Sequence, residues 1–341
     1  MAVYTVLPRA LVNNMAAVFP EVSKGGDVVD VEGVPQGSIN TTYRVTTADG
    51  SVWFLRVNEN KSFEALLHER DVLAALAGVD VGVVTPRMVL SVPGGSFFPV
   101  DVGQPDGDTG RRWACWFPAL PGRDLGVFEV TPAHTLQVGA ALARCHKAMG
   151  GFRRRRRNPF GLPVVQGWLQ DLHTLDVLPP VIERLKSTIA KVRRRRRLLP
   201  LGLVHGDLFI DNTKWADGRL RAIFDWEMAG RDHLALDVAI AVCAWSFARQ
   251  GDTLGLVDDT AAALVEGYQE VRPFSPTEKR GFFSELVLAA VRFTTSRVRD
   301  FEVPRPGNAE RRHLDYRDFL ARLDVVESRG ERSLRATLGL R

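Results

Sequence analysis

The stretch that decides the fold is Leu203–Glu227, which reads LVHGDLFIDNTKWADGRLRAIFDWE. Its first apolar run ends in His205-Gly206-Asp207, and Asn212 follows five residues later. After a glycine-containing turn, a second short apolar run ends in Asp225. Apolar runs of this length bounded by turn residues predict short strands. Two carboxylates and one carboxamide are therefore expected at strand ends or in the loop between the strands.

These three polar side chains are the ones that phosphoryl transfer from a nucleotide requires. One carboxylate orients the attacking hydroxyl and accepts its proton, while oxygen ligands bind a Mg²⁺ ion that bridges the phosphates. The spacing H-x-D-x-x-x-x-N from His205 to Asn212 is that of a catalytic loop for this chemistry. We predict ATP and Mg²⁺ as cofactors, Asp207 as the catalytic base grouped with His205, and Asn212 and Asp225 as metal ligands.

The alternative is that the same residues are ordinary loop residues. Asp, Asn and Gly occupy turns because their side chains or backbones form local hydrogen bonds there. That interpretation suffices for any one of them alone. The complete set, correctly spaced and flanked by apolar runs, favours the catalytic interpretation.

The composition describes an ordinary globular protein. With 341 residues, of which 45% are hydrophobic and 25% charged, the chain is long enough for two lobes that each have a core. Ten of the 45 Lys and Arg residues lie in two runs, Arg153–Arg157 and Arg193–Arg197, and the remaining chain is slightly acidic. We therefore predict no nucleic-acid partner. The first run is interpreted as solvated surface, with phosphate or acidic-substrate binding as the alternative. The second run is interpreted as the end of a helix, where cations suit the helix dipole.

The cysteines and the apolar runs indicate a cytoplasmic location. Cys115, Cys145 and Cys243 are far apart in sequence and lack the spacing of metal ligands. An odd number of cysteines without a secretory signal predicts reduced thiols. No apolar run approaches the roughly 18 to 20 residues of a membrane span, so no membrane association is expected.

Residues 1–117 are predicted to form a strand-rich nucleotide-binding lobe. Strands are expected at Val28–Gly33, Thr41–Thr46 and Ser51–Val57. The small-residue loop between the first two strands is suited to folding backbone amides over phosphates, because Gly allows close approach. An ordinary hairpin turn is the alternative. The candidate phosphate-binding residues in this loop are Gly37, Ser38 and Asn40.

Arg56 is the one cation among the apolar residues of the third predicted strand. Phosphoryl-transfer enzymes place here a basic residue that pairs with the nucleotide phosphates and with a helix Glu. We predict Glu69, on a helix over Phe63–Ala77, as that partner, and Glu64 is the alternative. The alternative is a surface charge at a strand edge. Two more strands, Val89–Val102 and Arg111–Phe117, would precede a backbone segment that contacts adenine, with Phe117 and Ala119 as its candidates.

A Pro/Gly break, Pro118–Arg123, marks the predicted boundary, and residues 118–341 read as a helical lobe that carries the catalytic loop and the acceptor site. Asp237 is expected to cap its helix and to hold the loop that carries His205. The residues from about Arg329 onward are expected to be frayed. The predicted helices are Thr131–Met149, a helix from Pro180 into the second Arg run, Ala235–Phe247, Asp258–Tyr268, Thr277–Val298 and Arg311–Glu327.

The chain resembles the aminoglycoside phosphotransferase and choline kinase-like superfamily. The motifs that carry this resemblance are HGDLFIDN, His205–Asn212, and FDWEMAGRDHLALDVA, Phe224–Ala239. Within the superfamily it is most similar to homoserine kinases of the protein-kinase-like type. The further similar segments are MAVYT at the start, GVPQGSINTTY, RRRN at Arg155–Asn158, AVCAWSF, GYQEVRPFSPTE at Gly267–Glu278 and VRFTTSRVRD.

This resemblance implies an α+β, two-lobed protein-kinase-like fold, with a small antiparallel sheet in the first lobe and a mostly helical second lobe. It also implies ATP- and Mg²⁺-dependent phosphorylation of a small molecule's hydroxyl, with L-homoserine as the first expectation. Gly206 stands where the homoserine enzymes usually carry Ala, and Trp226-Glu227 replaces their aromatic pair. Another alcohol therefore remains an alternative, such as an aminoglycoside, choline, hydroxylysine or methylthioribose. A nucleotide-binding pseudokinase is a further alternative.

An amino-acid acceptor would require partners for its carboxylate and for its ammonium group. Arg292 and Arg297 are the candidates for the carboxylate. Glu227, Asp232 and Asp300 are the candidates for the ammonium group. A small-molecule hydroxyl acceptor is thus the predicted partner, and the oligomeric state is left open.

Overall fold

The computed structural model describes residues 5–35, 40–92, 94–103, 109–153, 156–196, 198–303 and 314–341. These residues divide into two compact units. The first unit contains the described residues up to Ala77 and from Pro86 to Leu120. The second contains Gly78–Thr85 and the described residues from Pro121 onward.

The first unit is built on a five-stranded antiparallel sheet. Its strands are β1 Val28–Gly33, β2 Thr41–Thr47, β3 Val52–Asn58, β4 Phe98–Gly103 and β5 Thr109–Pro118, in the order β1-β2-β3-β5-β4. Three helices, α1 Arg9–Ala17, α2 Pro20–Ser23 and α3 Phe63–Ala77, accompany the sheet. Alternate residues of β3, such as Leu55 and Val57, are buried together with Phe19 and Trp116. The sheet therefore buries one face in a core of its own.

The strand predicted at Val89–Val102 is wrong in its first half. β4 covers only Phe98–Gly103, and Val89 contributes a single backbone hydrogen bond to the Trp116 carbonyl oxygen, at 2.9 Å. The chain turns between Ser91 and Gly95, whose backbones are joined by a 2.7 Å hydrogen bond. Gly94 has φ +110°, a conformation that only glycine adopts without strain, so the turn interrupts an apolar run that otherwise reads as a strand.

The second unit is mostly helical. Its helices are α4 Pro132–Ala148, α5 Leu162–Thr174, α6 Pro179–Val192, α7 Leu234–Trp245, α8 Asp258–Val271, α9 Pro276–Arg297 and α10 Arg317–Thr337. Three two-stranded antiparallel sheets accompany them: β6 Leu201–Val204 with β9 Gly230–His233, β7 Thr213–Ala216 with β8 Arg219–Ile223, and β10 Phe247–Gln250 with β11 Thr253–Leu256. Helix α9 is buried along most of its length, which places it at the centre of this unit.

Helices α4 and α8 lie against each other at two glycines. A Cβ atom on Gly139 would lie 2.0 Å from the Leu264 carbonyl oxygen, and one on Gly267 would lie 2.0 Å from the Leu136 carbonyl oxygen. No larger side chain fits at either position. The backbones of the two helices are therefore held in close contact, and their relative position is fixed.

Three expectations for this unit need correction. The residues after Arg329 are not frayed. The helix is interrupted at Gly330, which has φ 72° and ψ 160°, but a further helical segment runs to Thr337, and Leu334, Leu338 and Leu340 are buried. The β10–β11 hairpin was not expected, because its first strand continues an apolar run that reads as helix. The predicted position of the second Arg run at a helix end did not indicate that Arg196 is buried. No helix of the described residues combines the length and apolarity needed to cross a membrane.

Candidate active site

The loop after β6 is fixed by hydrogen bonds from its backbone to the carboxylate of Asp237 on α7. Asp237 accepts hydrogen bonds from the backbone amides of His205, at 2.6 Å, and Gly206, at 2.7 Å. Asp237 is fully buried and lies in the first turn of α7 rather than capping it, because the helix begins at Leu234. Gly206 has φ +80°, so glycine suits the turn that the loop makes there. The carboxylate thus fixes the backbone immediately before Asp207.

His205 joins the two predicted loops of the site. Its Nε2 lies 2.9 Å from the Phe224 carbonyl oxygen, and its Nδ1 lies 3.2 Å from the Asp207 amide nitrogen. A carbonyl accepts and an amide donates, so the ring carries its proton on Nε2. Burial lowers the pKa of His205, which favours this neutral form. Because both ring nitrogens are engaged by the backbone, the geometry supports a positioning role for His205.

Asn212 and Asp207 are in direct contact. The Asn212 Nδ2 donates to the Asp207 carbonyl oxygen at 2.7 Å and lies 3.5 Å from its Oδ2. With the amide nitrogen engaged in this way, Oδ1 is left on the other side of the carboxamide as an acceptor. The Asn212 carbonyl oxygen accepts from the Phe224 amide at 3.0 Å, one residue before Asp225. The structure therefore brings the predicted base and both predicted metal ligands into one region.

Asp225 stands at a strained turn after β8. Its backbone has φ 65° and ψ 58°, the left-handed conformation that Asp adopts more readily than most residues. Such a conformation costs on the order of 1 kcal/mol and persists where the surroundings fix it. The buried side chain of Trp226 helps to fix this turn. Its Nε1 lies 3.3 Å from the Ile223 carbonyl oxygen, and its ring centroid lies 4.5 Å from that of His205.

The oxygen donors of Asn212 and Asp225 fit a nucleotide-bound magnesium ion. Among the described residues, no group of three or more His, Cys, Asp and Glu side chains is arranged to hold a metal. Mg²⁺ in nucleotide sites is usually held by one or two protein oxygen ligands, and its other ligands are phosphates and water. The donor set therefore suits a metal that arrives with its nucleotide.

Asp207 has an unusual acidity. Burial raises its pKa to about 7, and the charges of Asp211 and Glu227 act in the same direction. The charge of Arg292 and the hydrogen bond from Asn212 oppose this shift. A carboxyl group with a pKa near neutrality is suited to general base catalysis, because it can accept a proton without being fully protonated in the resting enzyme.

Arg292, on α9, lies beneath the catalytic loop. Its Nη1 donates to the Gly206 carbonyl oxygen, and its Nη2 lies 3.3 Å from the Met228 Sδ. The guanidinium stacks on two rings, 4.9 Å from the centroid of Phe160 and 4.2 Å from that of Phe293. Its Nε is buried and has no hydrogen-bond partner among the described residues. The Arg292 guanidinium thus stacks on aromatic rings and contacts the loop that carries Asp207.

Three of the five predicted substrate residues are held by other partners. Asp232 accepts from Arg196 at 2.9 Å and from Asn158 Nδ2 at 3.0 Å. Arg196, whose other partner is Glu285 at 2.8 Å, belongs to the second Arg run and is buried because two carboxylates compensate its charge. Arg297 donates to the Asp315 carbonyl oxygen, and Asp300 pairs with Arg299. The contacts of these three residues are structural.

Glu227 and Arg292 are the two predicted substrate residues whose charges shift the pKa of Asp207. Glu227 is buried in the helical turn Trp226–Met228, directly after Asp225. Its negative charge raises the pKa of Asp207, whereas the positive charge of Arg292 lowers it. A cation and an acid therefore lie close to the atom that would accept the proton of the acceptor hydroxyl.

The first unit contains the predicted pair of Arg56 and Glu69. The Arg56 Nη2 lies 2.8 Å from the Glu69 Oε1, and Lys61 Nζ lies 3.3 Å from the Oε2 of the same carboxylate. Burial alone would raise the pKa of Glu69, but the two cations and their hydrogen bonds outweigh it and lower the pKa to about 2. The sequence signal missed Lys61, because it lies in a polar loop and not within an apolar run.

The remaining nucleotide-site predictions are placed only in part. Gly37 and Ser38 lie outside the described residues, and Asn40 is buried immediately before β2. Phe117 lies on β5, with its ring centroid 4.9 Å from the Arg56 guanidinium carbon. The Ala119 amide donates to the Val52 carbonyl oxygen at 3.2 Å, so this N–H is used within the sheet. An adenine contact by this segment stays a prediction.

Comparisons with known proteins support the same chemistry. The model of the phosphotransferase enzyme family matches residues 30–274. A homoserine kinase of Gluconacetobacter diazotrophicus is 31% identical over 90% of this chain and 95% of its own length. A homoserine kinase of Burkholderia multivorans is 32% identical over 84% of this chain and 86% of its own. The structure of an amicoumacin kinase in complex with AMP-PNP, Ca²⁺ and Ami has a TM-score of 0.70 at 16% identity and 95% coverage of both chains.

These findings confirm the resemblance, the α+β protein-kinase-like fold and the predicted enzyme class of small-molecule phosphotransferases with an alcohol acceptor. The family match covers well over half of the chain, and both catalytic motifs lie within the matched residues. The low identity to the amicoumacin kinase limits that likeness to the fold. The chain belongs to the phosphotransferase enzyme family.

Proposed function

We propose that the protein transfers the γ-phosphoryl group of ATP to the hydroxyl of L-homoserine in the cytoplasm, in a Mg²⁺-dependent reaction. The observation that carries the proposal is the contact between Asn212 and Asp207, which brings a predicted metal ligand against the predicted base. The two homoserine kinases that match most of the chain support the choice of acceptor.

Each polar group of the site has a distinct task in this reaction. Asp207 accepts a hydrogen bond from the acceptor hydroxyl and takes its proton as the new P–O bond forms. Asn212 and Asp225 would hold the metal, which when bound neutralises charge on the transferring phosphoryl group. Arg56, kept in place by Glu69, supplies positive charge to the nucleotide phosphates. Catalysis then consists mainly of positioning and charge neutralisation.

The acceptor is held by its two charged ends in this proposal. Arg292 is the partner for the homoserine carboxylate, because it is a buried cation whose charge acts on Asp207. Glu227 is the partner for the ammonium group, since it is a buried acid that also acts on Asp207. A substrate that bridges these opposite charges would present its hydroxyl to the base between them.

A second candidate acceptor is an amino alcohol without a carboxylate. It is favoured by the existing contacts of Arg292 with Gly206 and Met228, which occupy both terminal nitrogens of the guanidinium. In that case Glu227 would bind the ammonium group, and Arg292 would serve only to hold the catalytic loop. The two candidates differ in whether removal of the acceptor's carboxylate abolishes turnover.

An ADP-release assay over a panel of acceptors tests the proposal. The panel contains L-homoserine, its decarboxylated analogue 3-aminopropan-1-ol, choline, hydroxylysine and an aminoglycoside, with Asp207→Asn as the inactive control. We expect turnover with L-homoserine, at least about tenfold slower turnover with the decarboxylated analogue, and none in the control. Preference for the analogue would select the second candidate. An absence of turnover with every acceptor would refute both.

A further inference from the structure

A chain of buried hydrogen bonds runs from the start of α9 to the catalytic loop. Arg272 pairs with Glu278 at 2.8 Å and donates to the Tyr268 hydroxyl at 3.3 Å. The Tyr268 hydroxyl lies 2.7 Å from the His146 Nδ1, and the His146 Nε2 lies 2.9 Å from the Asp237 Oδ2. Asp237 is the carboxylate that accepts the amides of His205 and Gly206. The other members of this hydrogen-bond network have no part in the reaction proposed above. They are Arg272, Glu278, Tyr268 and His146.

The direction of each hydrogen bond follows from the groups at the two ends. Burial would raise the pKa of Asp237, but hydrogen bonds from His146 and from the Gly206 amide keep it low, so the carboxylate only accepts. His146 must therefore donate from Nε2. Burial raises the pKa of Tyr268 well above its usual value, so its hydroxyl keeps a proton and donates to Nδ1. In this arrangement each contact from Arg272 to the loop amides pairs a donor with an acceptor.

The helices that carry this chain cannot shift independently. His146 lies on α4 and Tyr268 on α8, the two helices held in close contact by Gly139 and Gly267. The side chains of His146 and Asp237 are essentially inaccessible to solvent, at 1% and 0% exposure. The rings of His146 and Tyr268 also meet edge to face, 5.6 Å apart. The carboxylate that holds the loop is therefore itself held by buried side chains on two helices that are fixed against each other.

We propose that Tyr268 and His146 are positioning residues for phosphoryl transfer, which orient Asp237 and through it the backbone that presents Asp207. The assignment gives a role to the segment GYQEVRPFSPTE, whose Tyr, Arg and last Glu are Tyr268, Arg272 and Glu278. It rests on the proposed function only for its kinetic consequence. The structural consequence, protection of the loop amides, holds for any activity of this site.

The test compares two buried tyrosine hydroxyls. Tyr268→Phe removes the hydroxyl that bonds His146, whereas Tyr43→Phe removes one in the first unit, which accepts from the Leu7 amide at 3.1 Å and donates to the Thr5 carbonyl oxygen at 2.7 Å. His146→Leu removes the donor to Asp237, and His146→Gln retains a side-chain amide that can replace it. The measurements are kcat, both KM values and peptide-level amide hydrogen exchange across residues 203–209.

We expect Tyr268→Phe to lower kcat about 5- to 30-fold and to leave both KM values within twofold. A misplaced base loses stabilisation of the transition state but changes substrate binding little. Amide exchange of the loop should accelerate in Tyr268→Phe and not in Tyr43→Phe. His146→Leu should show a larger loss of kcat, partly restored in His146→Gln. Loop exchange in Tyr268→Phe no faster than in Tyr43→Phe would overturn the proposal. A wild-type protein without kinase activity would refute the proposed function alone, since hydrogen exchange still tests the support.

Discussion

The Asn212 side-chain nitrogen donates to the Asp207 carbonyl oxygen at 2.7 Å, which ties the predicted metal ligand to the backbone of the predicted base. The Asn212 carbonyl oxygen in turn accepts the Phe224 amide, next to Asp225. A change at one of these positions is therefore expected to displace the others. This coupling explains why separate loops can act as one site.

Removal of the Asn212 side chain should raise the Mg²⁺ requirement. Asn212→Ala loses both the side-chain hydrogen bond to Asp207 and the oxygen ligand. The Mg²⁺ concentration for half-maximal activity should therefore rise about tenfold or more, and kcat at saturating Mg²⁺ should fall. The control is Asp217→Asn, an exposed turn residue between β7 and β8 that tolerates the exchange. A Mg²⁺ titration of activity gives the result. An unchanged Mg²⁺ requirement would show that Asn212 is not a ligand.

The pH dependence of activity should report Asp207. A base works only when ionised, so kcat/KM for ATP·Mg²⁺, which reflects the free enzyme, should fall as pH drops through about 7. Arg292 lowers this pKa, so Arg292→Met should move the acid limb to higher pH. Profiles from pH 5.5 to 9 provide the measurement. A limb that stays in place or moves to lower pH in the variant contradicts the assigned electrostatics.

Asp207→Asn should stabilise the protein at alkaline pH. Because the folded-state pKa of Asp207 is raised above its usual value, the native state binds more protons than the unfolded state between about pH 4 and 7. The ionisation of Asp207 therefore lowers the free energy of unfolding as pH rises through that window. At pH 8 the variant should gain about 1–3 kcal/mol over wild type, and almost nothing at pH 4. Urea unfolding at both pH values tests this, and equal effects at the two would count against the raised pKa.

Lys61 should contribute to nucleotide affinity together with Arg56. Two cations share the Glu69 carboxylate, so this buried cluster has a net positive charge that suits a polyphosphate. Lys61→Met should weaken ATP binding about 3- to 10-fold, and Arg56→Met by more. Titration with a fluorescent ATP analogue measures both, with Lys24→Met, an exposed residue after α2, as the control. A Lys61→Met affinity equal to that of the control would remove Lys61 from the site.

The grouping of Asp207, Asn212 and Asp225 could be predicted because its signals are local in sequence. The polar residues that end β6 and β8 lie within one short stretch, and their spacing determines which of them can meet. Asp237, twelve residues beyond Asp225, was recognised as a support for the loop, although its position within α7 differs from the predicted cap.

Features that depend on distant partners were not predictable. Arg196 reads as one of five consecutive arginines at a helix end, and only the fold shows that its guanidinium pairs with both Asp232 and Glu285. The same contact gives Asp232, a predicted acceptor-site residue, a buried ion-pair partner. The support formed by His146 and Tyr268 joins residues 122 positions apart, and no local pattern connects them.

The most direct test of the central claim is single-turnover transfer from γ-labelled ATP to L-homoserine, measured together with ATP binding in wild type and Asp207→Asn. The account predicts O-phosphohomoserine in wild type and a rate at least about 10³-fold lower in the variant, with ATP affinity within about threefold of wild type. Transfer at a near wild-type rate in Asp207→Asn would contradict the assignment of Asp207 as the catalytic base.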